Sequence, residues 1–200
     1  MGKALRWTTL AAGLAALAWS LSGCIEAAVV TAGAAGTAIA DERSMGRVID
    51  DHTLAVNVNS AMLKADEKLF VAADVTVRDG RVQLTGRVPN PDARVEAARI
   101  AWTVEGVREV LNELVVTDRS GWQDYPRDAR ITTEIVTRML FDKDVSQINF
   151  TIETVNATVY VMGVARSEAE RDKVNNIARS IGGVRRVVNN ALLRDDPRRK

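Results

Sequence analysis

Apolar residues in this chain recur in two rhythms, a helical spacing and a strict alternation, and the order in which these follow one another predicts the elements. Leu54, Val58, Ala61 and Met62 fall three or four apart after Asp51, which predicts a helix with Asp51 as its N-cap. Val75-x-Val77 and Val82-x-Leu84 alternate around Arg78-Asp79-Gly80, the pattern of a tight hairpin. Asn90-Pro91 then reads as the cap of a helix over 92–104, ended by Gly106. Val107, Val110 and the run Leu114 to Val116 supply a last strand. The order is αββαβ.

The same order appears twice. Sliding the chain by 77 residues aligns 51–116 with 128–193 without a gap, with thirteen of the 66 pairs identical. Ile131, Ile135 and Met139 repeat the first helix after Asp128, and Phe150-x-Ile152, Asn156 and Val159-x-Val161 repeat the hairpin. Ser167 caps a helix over 168–181 before Gly183, and Val184, Val187 and Ala191 to Leu193 form the final strand. The expected fold is α+β: two tandem domains, at 47–118 and 128–194, each a small three-stranded mixed sheet with two helices on one face. A linker over 119–127 joins them, and a basic tail, 195–200, reads as a solvated end. About 66 residues is near the lower limit for an independent core, so the copies are expected to pack together.

The N-terminus has a different pattern. Lys3 and Arg6 precede an apolar run from Trp7 to Leu21 that closes on Leu21-Ser22-Gly23-Cys24, the architecture of a lipoprotein signal peptide over 1–23. Fifteen or so apolar residues fall short of the roughly twenty that span a bilayer. Cys24 is the sole cysteine. As the cleavage point it carries a thioether-linked diacylglycerol and an N-acyl chain, enough acyl chains for stable attachment. Ile25 and Glu26 follow rather than an aspartate, which points to the outer membrane, facing the periplasm. Residues 24–46 form an Ala/Gly-rich tether.

Composition narrows the function classes. Without Lys3 and Arg6 the chain keeps 25 basic and 26 acidic side chains, which argues against nucleic acid as a partner. One histidine, His52, and one acylated cysteine leave no metal cluster and no disulfide. Asp50-Asp51-His52 is read as helix capping rather than acid–base chemistry. No nucleophile–base set or phosphate loop is present, so no catalytic residue, enzyme activity or cofactor is expected beyond the lipid on Cys24.

Leu84-Thr85-Gly86-Arg87-Val88, the ending Val104-x-Gly106-Val107-x-x-Val110-x-Asn112 and the element order resemble the BON domain, a bacterial envelope module. Two such domains behind a lipobox, with Asp41-x-Arg43-Ser44-x-Gly46 and Ile131-Thr132-Thr133, resemble the dual-BON outer-membrane lipoproteins associated with division and outer-membrane stress. That resemblance implies a non-enzymatic protein that preserves envelope integrity. It further implies binding of phosphatidylglycerol and cardiolipin through the first helix of the second domain, and gathering at the division site. Arg130 stands where the resemblance leads one to expect an aromatic residue. Docking on outer-membrane protein assembly machinery or peptidoglycan is the alternative.

Helix geometry gives its own reading of that segment. With Ile131, Ile135 and Met139 inward, 100° steps put Arg130, Thr133, Val136, Thr137, Leu140 and Phe141 on the outer arc, with Arg138 nearby. Val136 and Phe141 replace Asn59 and Lys64 of the first copy, so the second helix is expected to expose more apolar surface. These seven residues are the candidate lipid-binding set.

Overall fold

The computed structural model describes residues 45–117 and 124–199; Cys24, its tether and Trp122 lie outside them. The first domain comprises α1 (Met45–Ala65), α2 (Glu67–Ala72), β1 (Ala73–Arg78), β2 (Arg81–Val88), α3 (Pro91–Trp102), β3 (Glu109–Asn112) and β4 (Val115–Val116). The second comprises α4 (Tyr125–Leu140), a 3-10 turn (Gln147–Asn149), β5 (Phe150–Val155), β6 (Thr158–Ala165), α5 (Glu168–Ser180), β7 (Arg186–Asn189) and β8 (Leu192–Leu193), then a 3-10 turn at Pro197–Arg199.

Each sheet is the expected mixed one. β1 pairs antiparallel with β2, and β3 and β4 both pair parallel with β2 on its other edge, Arg81 opposite Glu109 and Arg87 opposite Val115. The register is unchanged across the gap at 113–114, so β3 and β4 are one interrupted strand; β7 and β8 repeat this on β6. Helices α1 and α3 bury Val58, Met62, Ala97 and Ile100 against Val82 and Leu84. α4 and α5 bury Ile131, Ile135, Met139, Val174 and Ala178 against Val159 and Val161. The predicted caps hold: Ala93 donates its amide to Asn90 Oδ1 (2.8 Å) and Glu170 to Ser167 Oγ (3.2 Å).

Asp51 and Asp128 are not N-caps. α1 starts six residues before Asp51, and α4 starts at Tyr125. Both carboxylates are buried and reach across to the hairpin. Asp51 accepts the amides of Asp79 and Gly80, both at 2.9 Å; Asp128 accepts those of Asn156 (2.7 Å) and Ala157 (3.0 Å). The turn residues Asp79, Gly80, Asn156 and Ala157 all have positive φ, as a two-residue hairpin turn requires, which aims two amides away from the ladder. The acid is needed by the turn, and it sits on the helix because the helix covers that turn.

The domains pack sheet to sheet. Positions facing away from the helices are polar in the first copy, Arg81, Gln83 and Thr85, and apolar in the second, Tyr160, Met162 and Val164, and all six are buried. Arg78 donates to Thr151 Oγ1 (2.6 Å), Arg81 to the Asn190 carbonyl (2.9 Å) and Asn190 to Gln83 Oε1 (3.0 Å). Asn190 also meets Glu113, its counterpart 77 residues earlier, as an approximate two-fold relation between the copies requires. The tail departs from the solvated end expected of it: Arg199 is buried, donates to Asp79 Oδ2 at 2.7 Å and latches the second domain onto the first domain's turn.

Candidate functional site

The outer face of α4 divides into an engaged half and a free half. Arg130 donates to Glu134 (3.0 Å) and to the Gly182 carbonyl (2.8 Å); Arg138 donates to the same Glu134 (2.8 Å) and to Ser180 Oγ (3.0 Å). Two cations at the C-terminal end of α5 suit its dipole, and Glu134 offsets one of them. Thr133 and Thr137 are exposed and return their hydroxyls to the Ala129 and Thr133 carbonyls. Val136 is half-buried and packs on the core, contrary to its expected place on the outer arc. It lies about 100° from the centre of the buried stripe, on the flank where a branched side chain still reaches the sheet.

Leu140 and Phe141 form the free half, 65% and 82% exposed at the helix end. Neither packs under the following loop. Lys143, two residues on, is also exposed, while the Asp142 carboxyl is held below the usual range by the Asp144 amide (2.9 Å), with help from Lys173 (3.3 Å). Of the seven candidates, the structure groups Leu140 and Phe141 beside exposed Arg138 and assigns Arg130 to bracing α5.

A second feature was not anticipated. A cleft of about 780 Å3 opens between the domains, with Val71, Gly86, Tyr125 and Thr133 among its walls. Asp74 of β1 and Glu153 of β5 line it. Burial pushes the Glu153 carboxyl up to about 7, reinforced by the negative charge of Asp74. Burial also raises Asp74, with Arg87 pulling it back. Arg87 itself is taken by Asp128 at 2.6 Å, across the domain boundary. In the chain this interface shows in the unbroken run Val159 to Ala165, where every residue is apolar or glycine: a strand buried on both faces rather than one. Among the described residues no group of three or more His, Cys, Asp or Glu could hold a metal ion, and no helix is long and apolar enough to cross a membrane.

The BON domain family model matches residues 50–118 and 127–195, the two copies just described. The chain belongs to the BON domain family, with two such domains in tandem. It is 36% identical over 171 residues to the outer membrane lipoprotein DolP of Haemophilus influenzae, covering 84% of this chain and 87% of that one. An uncharacterized protein of Anaplasma centrale is 33% identical over its whole length and 76% of this chain. The osmotically-inducible protein Y of Escherichia coli is 30% identical over 72% of this chain and 73% of its own. Likeness of this extent to a named outer membrane lipoprotein supports the same class for this chain.

Proposed function

We propose that this protein is an outer-membrane lipoprotein, held by acyl chains on Cys24, whose second BON domain binds anionic phospholipid in a structural, non-catalytic role in envelope integrity. The observation that carries this reading is the exposed pair Leu140 and Phe141 at the end of α4, beside the cations Arg138 and Lys143. Full burial of a large apolar side chain contributes roughly 1.5–3 kcal/mol, so two such residues supply useful affinity only if they leave water. Neighbouring cations add attraction for anionic headgroups that falls away within about 8–10 Å of the surface at physiological salt. Since the acyl chains already supply residence at the membrane, the helix end selects or positions lipid rather than anchoring the chain.

Residues 40–200 form a compact unit of their own, so the unlipidated protein from Ala40 onward is the test material. It is expected to sediment with phosphatidylglycerol or cardiolipin vesicles and much less with neutral phosphatidylcholine. Leu140→Ser with Phe141→Ala, both at exposed positions, is expected to lower that binding at least about tenfold. Equal binding to all three vesicle types, or no effect of the double substitution, would overturn the reading.

A further inference from the structure

The two-fold relation between the copies exposes an asymmetry in the cleft. Arg78 crosses from the first domain to Thr151 Oγ1 of the second at 2.6 Å. The positions related to these two by the 77-residue offset are Val155 and Asp74, and both line the cleft. On one side of the axis the chain brings its own guanidinium to a threonine; on the other it brings a valine to a carboxylate. Glu153 adds a second carboxylate there, at the position related to Thr76. The cations of the cleft walls do not answer this pair. Arg87 is committed to Asp128 at 2.6 Å, and Lys68, exposed on α2, makes no ion pair with either acid among the described residues. Burial holds both carboxyls above their usual range.

A third polar group points the same way. Thr85 is the direct partner of Asp74 in the β1–β2 ladder, so the two side chains stand on one face, and it adjoins Gly86 of the cleft wall. It is 1% exposed, and its hydroxyl has no hydrogen-bond partner among the described residues. Beside these polar groups the wall presents apolar surface: Val71 and Tyr125, 75% and 67% exposed, with Val88 and Pro89.

We propose that the cleft binds an organic cation, an ammonium or guanidinium group on an apolar stem, with its charged head between Asp74 and Glu153 and its stem along Val71, Val88 and Tyr125. The head does for this side of the axis what Arg78 does for the other. A volume of about 780 Å3 lies within the roughly 300–1,000 Å3 of small-molecule sites. A calcium ion fits less well, since it takes about six to eight oxygen ligands and no three acids among the described residues form a metal group. Entry of a positive charge favours the ionised form of Glu153, so binding near neutral pH releases a proton. The titratable groups that share the cleft with it are Lys68 on α2, Asp74 on β1, Arg87 on β2, and Tyr125 and Asp128 on α4. The site lies toward the N-terminal end of α4, away from Leu140 and Phe141, and stands independently of lipid binding there.

The test titrates the unlipidated protein from Ala40 onward with phenethylamine and with phenethyl alcohol, its neutral counterpart of the same shape, by calorimetry. The amine is expected to bind at least about tenfold more tightly than the alcohol, because only it gains from the two carboxylates. Its binding is expected to be several-fold tighter at pH 8 than at pH 6, and near pH 7 its heat is expected to vary with the buffer as a released proton requires. Asp74→Asn with Glu153→Gln is expected to abolish the preference for the amine while leaving the binding of the alcohol as it was. Val155→Arg, which restores the cation of the counterpart side, is expected to abolish amine binding; the double substitution carries the test where that variant does not fold. A blocked leucine–lysine–leucine tripeptide identifies the source of the head: tighter binding than the amine assigns it to a protein side chain, weaker binding to a small molecule. Equal affinity for amine and alcohol, amine binding that survives the double substitution, tighter binding of calcium than of amine and tripeptide, or binding of neither organic cation would each overturn the proposal.

Discussion

Arg87 reaches out of the first domain to Asp128 at 2.6 Å, and the same carboxylate holds the Asn156–Ala157 turn of the second. One buried acid thereby fixes a hairpin and joins two domains. Asp51, its counterpart, holds its own turn, but the position 77 residues after Arg87 is Val164, which brings no cation. Asp128→Ala leaves two turn amides and the Arg87 guanidinium without their acceptor and takes one of two carboxylate partners from Arg127, a loss of about 3–5 kcal/mol by the measure of broken buried pairs. Urea unfolding is expected to show it, with Arg87→Ala costing less because that side chain is partly exposed.

Gly86 and Gly163, at equivalent positions in the two β2-type strands, are fixed by space as well as by backbone. Their φ values are 123° and 153°, and a Cβ on either would lie 2.2 Å from a backbone oxygen, that of Ala72 or Asn149. A carbonyl at the end of a helix, as at Ala72, or of a 3-10 turn, as at Asn149, cannot step aside as a side chain can. Ala at either position is expected to cost at least about 3 kcal/mol, enough to halve the soluble yield, and thermal unfolding of the two variants measures it.

Glu153 gives the protein a pH dependence of unusual sign. Its carboxyl is raised from 4.5 to about 7 by burial and by Asp74, so the folded protein keeps a proton that the unfolded chain releases. The stabilisation is complete below about pH 4.5 and is lost as pH rises through about 7. Solvent at the cleft reduces the effect to on the order of 1–2 kcal/mol. Glu153→Gln, which cannot ionise, is expected to unfold at a higher temperature than the parent at pH 8, with the difference gone at pH 5. A constant difference across that range would assign the effect to packing.

How much of this was legible in the sequence follows from which face of each element the pattern describes. The period of three to four and the alternation of two report burial on one face, so Val58, Met62, Ile131 and Ile135, and the hairpins, stand out in the sequence. They are silent about a second buried face made of polar groups. Arg81, Gln83 and Thr85 look like solvent positions of β2, yet they are buried because the other domain covers them. Asp51 and Asp128 look like helix caps in the sequence, since an acid near a helix start has a local explanation and the hairpin turn it serves is 28 residues or more away. Arg199 is hidden for a similar reason: a cationic tail reads as solvated until a buried partner such as Asp79 is brought to it by tertiary structure.

That last contact can be tested directly. Arg199 and Asp79 are both almost fully buried, and Arg47 is the only other cation measured near Asp79, at 3.8 Å among the described ion pairs. Arg199→Ala removes the buried cation and leaves its carboxylate, a change that costs about 3 kcal/mol where a buried pair is broken from one side. Limited proteolysis is expected to cut between the domains sooner in that variant, because the latch joins the last residues of the second domain to a turn of the first.

Thr85 provides the opposite test, a native residue whose replacement should help. Its side chain is 1% exposed at the sheet-to-sheet interface, and its hydroxyl has no hydrogen-bond partner among the described residues. Tyr160, Met162 and Val164 of the second domain are buried at the same interface. A hydroxyl desolvated without compensation costs roughly 1–3 kcal/mol, while valine keeps the branched shape and the strand preference. Thr85→Val is therefore expected to raise the free energy of unfolding by about 1 kcal/mol, measured by urea titration with an unchanged slope. A loss of stability would mean that the hydroxyl is satisfied, by a water trapped between the sheets, and that the polar face of the first domain is wet rather than dry.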